Sequence, residues 1–395
     1  MSHIKKYAPR RRFEKFSNAD DWEQRKLGEV TESFDGKRVP IDSGLRISGE
    51  YPYYGATGII DYVDDYIFDG EYVLLAEDGA NITMRNYPVA YLTQGKFWLN
   101  NHAHIMRMID GSNYFLVQVL EKIDYMKYNT GTAQPKLNSK VVKNIEFKLP
   151  HVEEQRKIGT FFKQLDDTIA LHQRKLEKIK ALKTAYLSEM FPAEGETKPK
   201  RRFAGFTDDW EQCKLGELAE IVRGASPRPI QDPKWFDNNS EVGWLRISDV
   251  TAQDGRINYL EQRISEAGQE KTRVLKEPHL LLSIAATVGK PVINYVKTGV
   301  HDGFLIFLDI KFEQEFLFQW LEMFRTSWRK YGQPGSQVNL NSELVRNQEI
   351  LIPSMKEQIK ISQLFQQLDK TITIHQRKLK KLQNIKKAYL NEMFI

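Results

Sequence analysis

Two stretches of the chain carry apolar residues at gaps that alternate between four and three positions, with polar residues in between. This is the heptad spacing of helices that pack side by side along a seam. Each stretch predicts a helix of about 40 residues, roughly 60 Å long and too long to be buried in one small domain. We therefore expect the two helices to pack on each other. The seam positions are Ile158, Phe162, Leu165, Ile169, His172, Leu176 and Ile179 in the first helix, and Ile361, Phe365, Leu368, Ile372, His375, Leu379 and Leu382 in the second.

The two seam histidines are expected to be neutral, hydrogen-bonded structural residues rather than metal ligands or pH switches. A polar residue in a seam can also fix the register of two helices, and His172 and His375 could do so here.

The regions ahead of the two helices have mainly strand-like patterns. Residues 59–75 are rich in Ile, Val, Tyr and Phe and are interrupted by Asp69-Gly70, which predicts a β-hairpin. Each region also has one late stretch with helical spacing. The predicted helices lie at residues 113–128 and 313–325, and the strands of the second region lie at residues 243–250, 280–285, 291–296 and 304–310. The chain is thus predicted to be α+β, with two mixed α/β domains that are each followed by a long helix.

The chain is one long unit written twice. EQRKLGE at residues 23–29 returns as EQCKLGE at residues 211–217, and residues 150–191 agree with residues 353–394 at 24 of 42 positions without a gap. The intervals between these landmarks show little likeness. A repeated frame with divergent contents predicts a scaffold that holds two different reading surfaces.

The repeat divides the chain into six segments. They are a basic amino-terminal segment (residues 1–22), a first head (23–149), a first long helix (150–191), a linker (192–210), a second head (211–352) and a second long helix (353–395).

Composition is that of a globular protein. The 395 residues are 41% hydrophobic and 28% charged, and the net charge of +6 weakly favours an anionic partner. A single cysteine, Cys213, excludes an intramolecular disulfide and a multi-cysteine zinc site. Because no apolar run is long enough to span a membrane and the amino terminus has no signal-peptide pattern, we expect a cytoplasmic protein.

Motifs that approach catalytic ones are incomplete. DPKW at residues 232–235 has Lys where the loop of an amino-methyltransferase has its second Pro, and it reads as a surface turn. GKP at residues 289–291 lacks the Ser or Thr of a phosphate-binding loop. His102 and His104 alternate on a predicted strand, but no third metal ligand is evident. We therefore predict no catalytic site, no metal and no cofactor in this chain.

Taken together, the repeats resemble the DNA-specificity subunit of type I restriction-modification enzymes over essentially the whole chain. The motifs that carry the resemblance are WEQRKLGEV at residues 22–30, YPYYGATGIIDY at 51–62, NNHAHIMR at 100–107, WLRISDV at 244–250, LNS at 137–139 and 340–342, AYLSEMF at 185–191 and AYLNEMF at 388–394.

The resemblance implies that the heads are target recognition domains, each reading one half of a bipartite double-stranded DNA site. It implies an antiparallel coiled coil with pseudo-twofold symmetry, whereas the linker alone would permit either helix direction. The implied partners are DNA, two methyltransferase subunits and motor-nuclease subunits, with no membrane. The partner subunits would use S-adenosylmethionine, ATP and Mg.

Candidate DNA contacts are polar residues in turn-like surroundings, because base edges and phosphates are contacted mostly by such side chains. They are Tyr54, Thr57, Lys96, Asn100, Asn101 and Lys136 in the first head, and Arg223, Ser226, Arg228, Arg246, Ser248, Lys290, Gln337 and Asn339 in the second.

Two other functions remain open from sequence. A coiled-coil scaffold that binds only proteins would explain the helices, but not the two divergent heads of matched architecture. A self-contained DNA-modifying enzyme would need the cofactor and catalytic loops that the sequence lacks.

Overall fold

The computed structural model describes residues 8–193, 195–285, 287–331 and 340–395. The described residues form two compact units, one from the chain up to Arg174 together with Gln376–Ile395, and the other from within Lys175–His375. Each long helix therefore contributes one part to each unit.

The first unit combines two four-stranded sheets with a two-stranded ribbon. The sheet orders are β2-β9-β6-β7 and β4-β3-β8-β5, and the ribbon is β1-β10. The strands are β1 (Glu23–Lys26), β2 (Thr31–Ser33), β3 (Ser48–Gly55), β4 (Gly58–Val63), β5 (Phe68–Asp69), β6 (Tyr72–Ala76), β7 (Ala90–Thr93), β8 (Lys96–Leu99), β9 (Ala103–Met108) and β10 (Glu146–Leu149). The helices are α1 (Leu27–Val30), α2 (Asn81–Met84), α3 (Asn113–Lys122), α4 (Ser139–Lys143) and the first part of the first long helix, α5 (Val152–Glu189).

The second unit has a five-stranded sheet, a three-stranded sheet and an equivalent ribbon. Their orders are β12-β19-β16-β17-β14, β13-β18-β15 and β11-β20. The strands are β11 (Glu211–Lys214), β12 (Glu220–Arg223), β13 (Gly243–Trp244), β14 (Arg256–Ile257), β15 (Arg273–Leu275), β16 (Leu280–Ser283), β17 (Pro291–Asn294), β18 (Thr298–Val300), β19 (Phe304–Leu308) and β20 (Glu349–Ile352). The helices are α6 (Leu215–Leu218), α7 (Ile247–Ala252), α8 (Glu266–Gln269), α9 (Gln314–Phe324), α10 (Ser342–Asn347) and the first part of the second long helix, α11 (Met355–Met393).

Each core joins a head to segments of both long helices. In the first unit, Phe162 of α5 and Phe394 just after α11 pack with Phe115 of the head and with Trp22 just ahead of it. The second unit repeats the arrangement with Phe365 of α11, Phe191 just after α5, Trp210 and Phe316. Burial of aromatic side chains is worth about 1.5–3 kcal/mol each, so these residues hold the helices to the heads.

A partly buried aspartate at equivalent positions links the two helices in each unit. In the first unit, Asp166 of α5 accepts hydrogen bonds from Tyr114 Oη at 2.6 Å and from Lys386 Nζ of α11 at 2.9 Å. Because Phe161 contacts Tyr389, later positions on α5 meet earlier positions on α11, and the two segments are antiparallel.

In the second unit, Asp369 of α11 receives Lys183 Nζ of α5 at 2.6 Å and Arg256 Nη2 at 2.8 Å. The Gln319 amide adds a bond at 3.1 Å. Burial raises the pKa of Asp369, but the charges and hydrogen bonds of Lys183 and Arg256 outweigh it, so this pKa lies below its ordinary value. The carboxylate is therefore ionised at neutral pH.

The segment ahead of each head is braced to the following long helix in the same way. The Arg12 guanidinium bonds both carboxylate oxygens of Glu154, and Arg202 does the same with Glu357. All four side chains are buried or nearly so. Paired, bidentate ions of this kind are the form in which buried charge is tolerated.

Burial along the long helices follows the seam. Ile158, Phe162, Ile361 and Phe365 are buried, and each of the other seam positions, including both histidines, is half-buried. No helix within the described ranges is both long and apolar enough to cross a bilayer.

Two local predictions are wrong. Asp69-Gly70 does not close a hairpin, because β5 pairs with β8 whereas β6 pairs with β7 and β9 in the other sheet. Residues 243–250 are not one strand. The strand ends at Trp244, and Asp249 accepts the backbone N–H of Arg246, which starts α7.

Replacement of Asp369 by Ala should destabilise the protein by about 3–5 kcal/mol, because Lys183 and Arg256 are left partly buried without this carboxylate. Chemical denaturation followed by circular dichroism measures the loss. The matched control is Glu241→Ala, which breaks the exposed Glu241–Lys297 pair and should leave the midpoint nearly unchanged. Equal shifts for both variants would show that Asp369 does not link the helices.

Candidate nucleic-acid interface

Several turns of the first head meet at one edge. Strands β3 and β8 are parallel and end together, and Asn100 N donates to the Tyr54 carbonyl just beyond the pair. The β3–β4 turn that contains Thr57 therefore lies beside the turn of residues 100–102. The end of β6 joins the same edge because Ala76 pairs with Ala103.

Lys136 is brought to this edge by a backbone bridge to Asp78. Its ammonium lies 3.6 Å from Glu77, and its side chain is half exposed. The neighbouring His102 ring contacts the Asp78 carboxylate at 2.9 Å. Thr57, Asn101 and Lys136 therefore form one exposed polar edge, together with His102 and Asp78.

A buried polar network supports this edge from behind. The Asp35 carboxylate accepts from Ile105 N at 2.9 Å and contacts His104 Nδ1 at 2.7 Å, while His104 Nε2 contacts the Leu137 carbonyl at 2.8 Å. Burial raises the pKa of Asp35, but its bonds to His104 and the backbone outweigh burial and keep it below the ordinary value. Arg38 extends the network to Glu77 at 2.6 Å. His104 is thus structural.

Three candidates of the first head have other surroundings. Asn100 is buried, and its side-chain oxygen accepts from His102 N. Tyr54 is half-buried and stacks on Tyr91. Lys96 lies at the opposite end of β8 from Asn100, with its ammonium 4.5 Å from the centre of the Tyr66 ring. These positions make direct base contacts by Asn100 and Lys96 at the shared edge unfavourable.

In the second head, Asp302 draws three candidates together. Its carboxylate accepts from Ser226 Oγ at 2.7 Å and from Arg228 Nη2 at 3.2 Å, and its carbonyl accepts from Arg223 Nε at 2.6 Å. The Ser226 bond, opposed by burial and assisted by the Arg223 charge, keeps the pKa of Asp302 below its ordinary value. The site therefore holds a fixed anion among exposed cations.

This edge of the second head lines an open cavity of about 730 Å³. Trp244 and His301 form part of its wall, with ring centres 5.8 Å apart, and Arg246 lies on its rim. Burial lowers the pKa of His301, which favours the neutral ring. Ser248 is exposed and is the second residue of α7.

Lys290 is withdrawn from the surface. Its ammonium lies 2.6 Å from Asp254 and 2.5 Å from Glu322, and only 10% of its side chain is exposed. The candidate role in DNA contact is therefore corrected to a structural ion pair. Gln337 and Asn339 fall outside the described residues.

The edges of both heads use the same frame. In the first head, the turn before β9 lies beside the ends of β2 and β6. In the second head, the turn before β19 lies in the same way beside the ends of β12 and β16. Within the ranges that the structure describes, no cluster of three His, Cys, Asp or Glu side chains is arranged to hold a metal ion.

Comparison with known proteins matches this repeated frame. The family model described as the type I restriction modification DNA specificity domain matches residues 19–181 and again residues 207–384. The chain belongs to this specificity family. The two matches account for most of the chain and coincide with the two repeats.

Relatives in the specificity family span nearly the whole chain. A type I restriction enzyme specificity subunit of Haemophilus influenzae is 26% identical over 372 residues, which cover 91% of each chain. The MjaVIII specificity subunit of Methanocaldococcus jannaschii is 22% identical over 403 residues, covering 94% of this chain and 92% of its own.

Solved structures show the same fold. The type I restriction-modification S subunit of M. genitalium has a TM-score of 0.69 at 14% identity and covers 98% of this chain and 99% of its own. A structure described as concerning complex assembly and conformational transition of a type I system has a TM-score of 0.51 at 17% identity, covering 94% and 97%.

Sequence reasoning about this specificity-family chain missed Asp302, and it weighed His102 as a metal ligand or a DNA-facing residue without placing it among the candidate contacts. Both lie in short polar turns immediately before buried strands, in HDG at residues 301–303 and NNH at residues 100–102. A polar turn before an apolar strand in both repeats was the available signal. The sequence could not predict which basic residues contact Asp302, because Arg223 and Arg228 are more than 70 positions away along the chain.

Replacement of Asp35 by Asn should destabilise the first head by about 1–3 kcal/mol, because the buried His104 ring loses its ionised acceptor. Hydrogen exchange of the amides in residues 34–39 and the denaturation midpoint measure the effect. Asp42→Asn, at an exposed position nearby, is the control. Unchanged hydrogen exchange in the Asp35 variant would show that this network does not support the edge.

Proposed function

We propose that this specificity-family chain reads an asymmetric, bipartite site on double-stranded DNA, with one half-site for each head. The proposal rests on one observation. The same strand ends and turns form an exposed edge in both heads, but the side chains at the two edges differ. The first head presents Thr57, Asn101 and Lys136, whereas the second presents Arg223, Ser226 and Arg228. Unlike edges predict unlike half-sites, because base edges are distinguished by donor and acceptor patterns.

We further propose that the long helices set the distance between the half-sites. Helices rise about 1.5 Å per residue, so paired helices of this length act as a stiff spacer. The bases between the half-sites would then be fixed in number and unread. The antiparallel contacts within each unit, such as Lys386 with Asp166 and Lys183 with Asp369, support this role.

Chemistry is proposed to reside in partner proteins. Two methyltransferase subunits and motor-nuclease subunits would supply methyl transfer and cleavage with S-adenosylmethionine, ATP and Mg. This chain would contribute no catalytic residue. It would act in the cytoplasm, where these partners and DNA meet.

Adenine methylation should appear at a split, asymmetric motif when this chain is expressed with its cognate methyltransferase subunit in a methylation-free host. Single-molecule sequencing of the host DNA detects it. The control is the methyltransferase subunit alone, which should give no such motif. If both proteins are soluble and associated but no motif appears, the chain is a protein-binding scaffold. Methyl transfer by this chain alone would identify it as an enzyme.

Insertion of one heptad at matching positions in both long helices should lengthen the spacer by about three base pairs, since seven residues add roughly 10 Å and DNA rises about 3.4 Å per base pair. Both half-sites should stay the same. Methylation mapping gives the spacer directly. A changed half-site with an unchanged spacer would contradict the spacer role of the helices.

A further inference from the structure

Three arginines at this edge of the second head differ in how their guanidinium groups are bound. Arg246 is committed to Asp249, because its Nε and Nη2 bond the two carboxylate oxygens at 3.1 and 2.9 Å. Arg223 uses its Nε on the Asp302 carbonyl. Arg228 is different, since 81% of its side chain is exposed and its described polar contact is one 3.2 Å bond from Nη2 to Asp302.

Asp302 is itself fixed. Ser226 Oγ donates to its carboxylate at 2.7 Å and accepts from its backbone N–H at 3.2 Å. The carboxylate therefore holds one corner of the Arg228 guanidinium in place. The remaining N–H donors of the fork have no described hydrogen bond, and the side chain is 81% exposed at the edge where DNA is proposed to bind.

A guanidinium held at one corner can present two parallel donors. In the major groove, guanine offers two acceptors, O6 and N7, whereas adenine offers one acceptor and one donor. Asp302 is less free to accept from the cytosine amino group, because each of its oxygens already accepts one hydrogen bond, from Ser226 or from Arg228. The geometry favours a guanine.

We infer that the second head reads a guanine through Arg228, with Asp302 and Ser226 as positioning residues for the guanidinium. This inference rests on the proposed function and assigns a base class to one position of one half-site.

Arg228→Gln, co-expressed with the cognate methyltransferase subunit, should lower the preference for guanine at one position of one half-site by about five- to 150-fold, the range for one bidentate base contact. Gln pairs with adenine in the same geometry, so methylation should extend to sites with adenine there. The measurement is the ratio of methylation between genomic sites that differ only at that position.

Asp302→Asn and Ser226→Ala should reduce discrimination at the same position by a smaller factor while Arg228 is retained. A merely structural role would lower methylation at all sites equally and leave the ratio unchanged. Copurification with the methyltransferase subunit shows that each variant is folded and assembled.

The matched control is Arg107→Gln in the first head. Arg107 is likewise an exposed arginine paired with one carboxylate, Glu32, but it lies near the far end of β9 from the reading edge. It should leave the motif unchanged.

If the wild-type protein directs no methylation at a split motif, the proposed function is wrong. A wild-type split motif that Arg228→Gln leaves intact at every position, with or without a uniform loss of methylation, would overturn the guanine assignment alone. A uniform loss would identify Arg228 as a phosphate contact.

Discussion

The architecture depends on a partly buried carboxylate that must be paired. Asp166 and Asp369 occupy equivalent positions on the two long helices, and each lies where a head and both helices meet. Because an unpaired charge is costly in a poorly solvated place, each aspartate requires a cation from the other helix. Lys386 and Lys183 supply it, and they too are equivalent in the repeat. One electrostatic requirement thus fixes the same helix pairing in both units.

The head's contribution to this pairing is not the same in the two units. The first head offers the neutral Tyr114 hydroxyl, whereas the second offers Arg256, which also pairs with the buried Glu315. The burial of Tyr114 and its bond to Asp166 raise the pKa of this phenol, so it stays a donor. Arg256 instead adds a positive charge. Heads of different chemistry are therefore compatible with one helix frame, which allows the reading edges to diverge while the frame stays constant.

The sequence alone predicted those structural features that show as a heptad pattern or as a long duplicated segment. The heptads and the duplicated segments predicted two long helices and two α/β heads, and family membership and a shared fold were confirmed by the comparisons. Asp166 and Asp369 were visible as identical positions, but their partners in the heads were not, because Tyr114 and Arg256 lie far away along the chain.

Local signals failed where tertiary contacts competed with them. Asp69-Gly70 is a turn, yet Phe68 stacks on Phe97 and takes its strand into another sheet. Lys290 is polar and lies next to a glycine turn, yet Asp254 and Glu322 hold it inside the head. Position in a turn indicates exposure only on average, and a nearby carboxylate can reverse it. The grouping of basic residues around Asp302 has the same origin.

The two-stranded ribbons have a consequence for how such proteins can change. Each head begins with β1 or β11 and ends with β10 or β20, and these strands pair along their whole length, from Glu23 opposite Leu149 and from Glu211 opposite Ile352. The chain therefore enters and leaves a head at neighbouring points, whatever lies between. Insertions, deletions or complete replacement of the residues between the two ribbon strands need not displace the helices. A new DNA preference can arise from changes in the head alone, while every surface formed by the helices keeps its geometry.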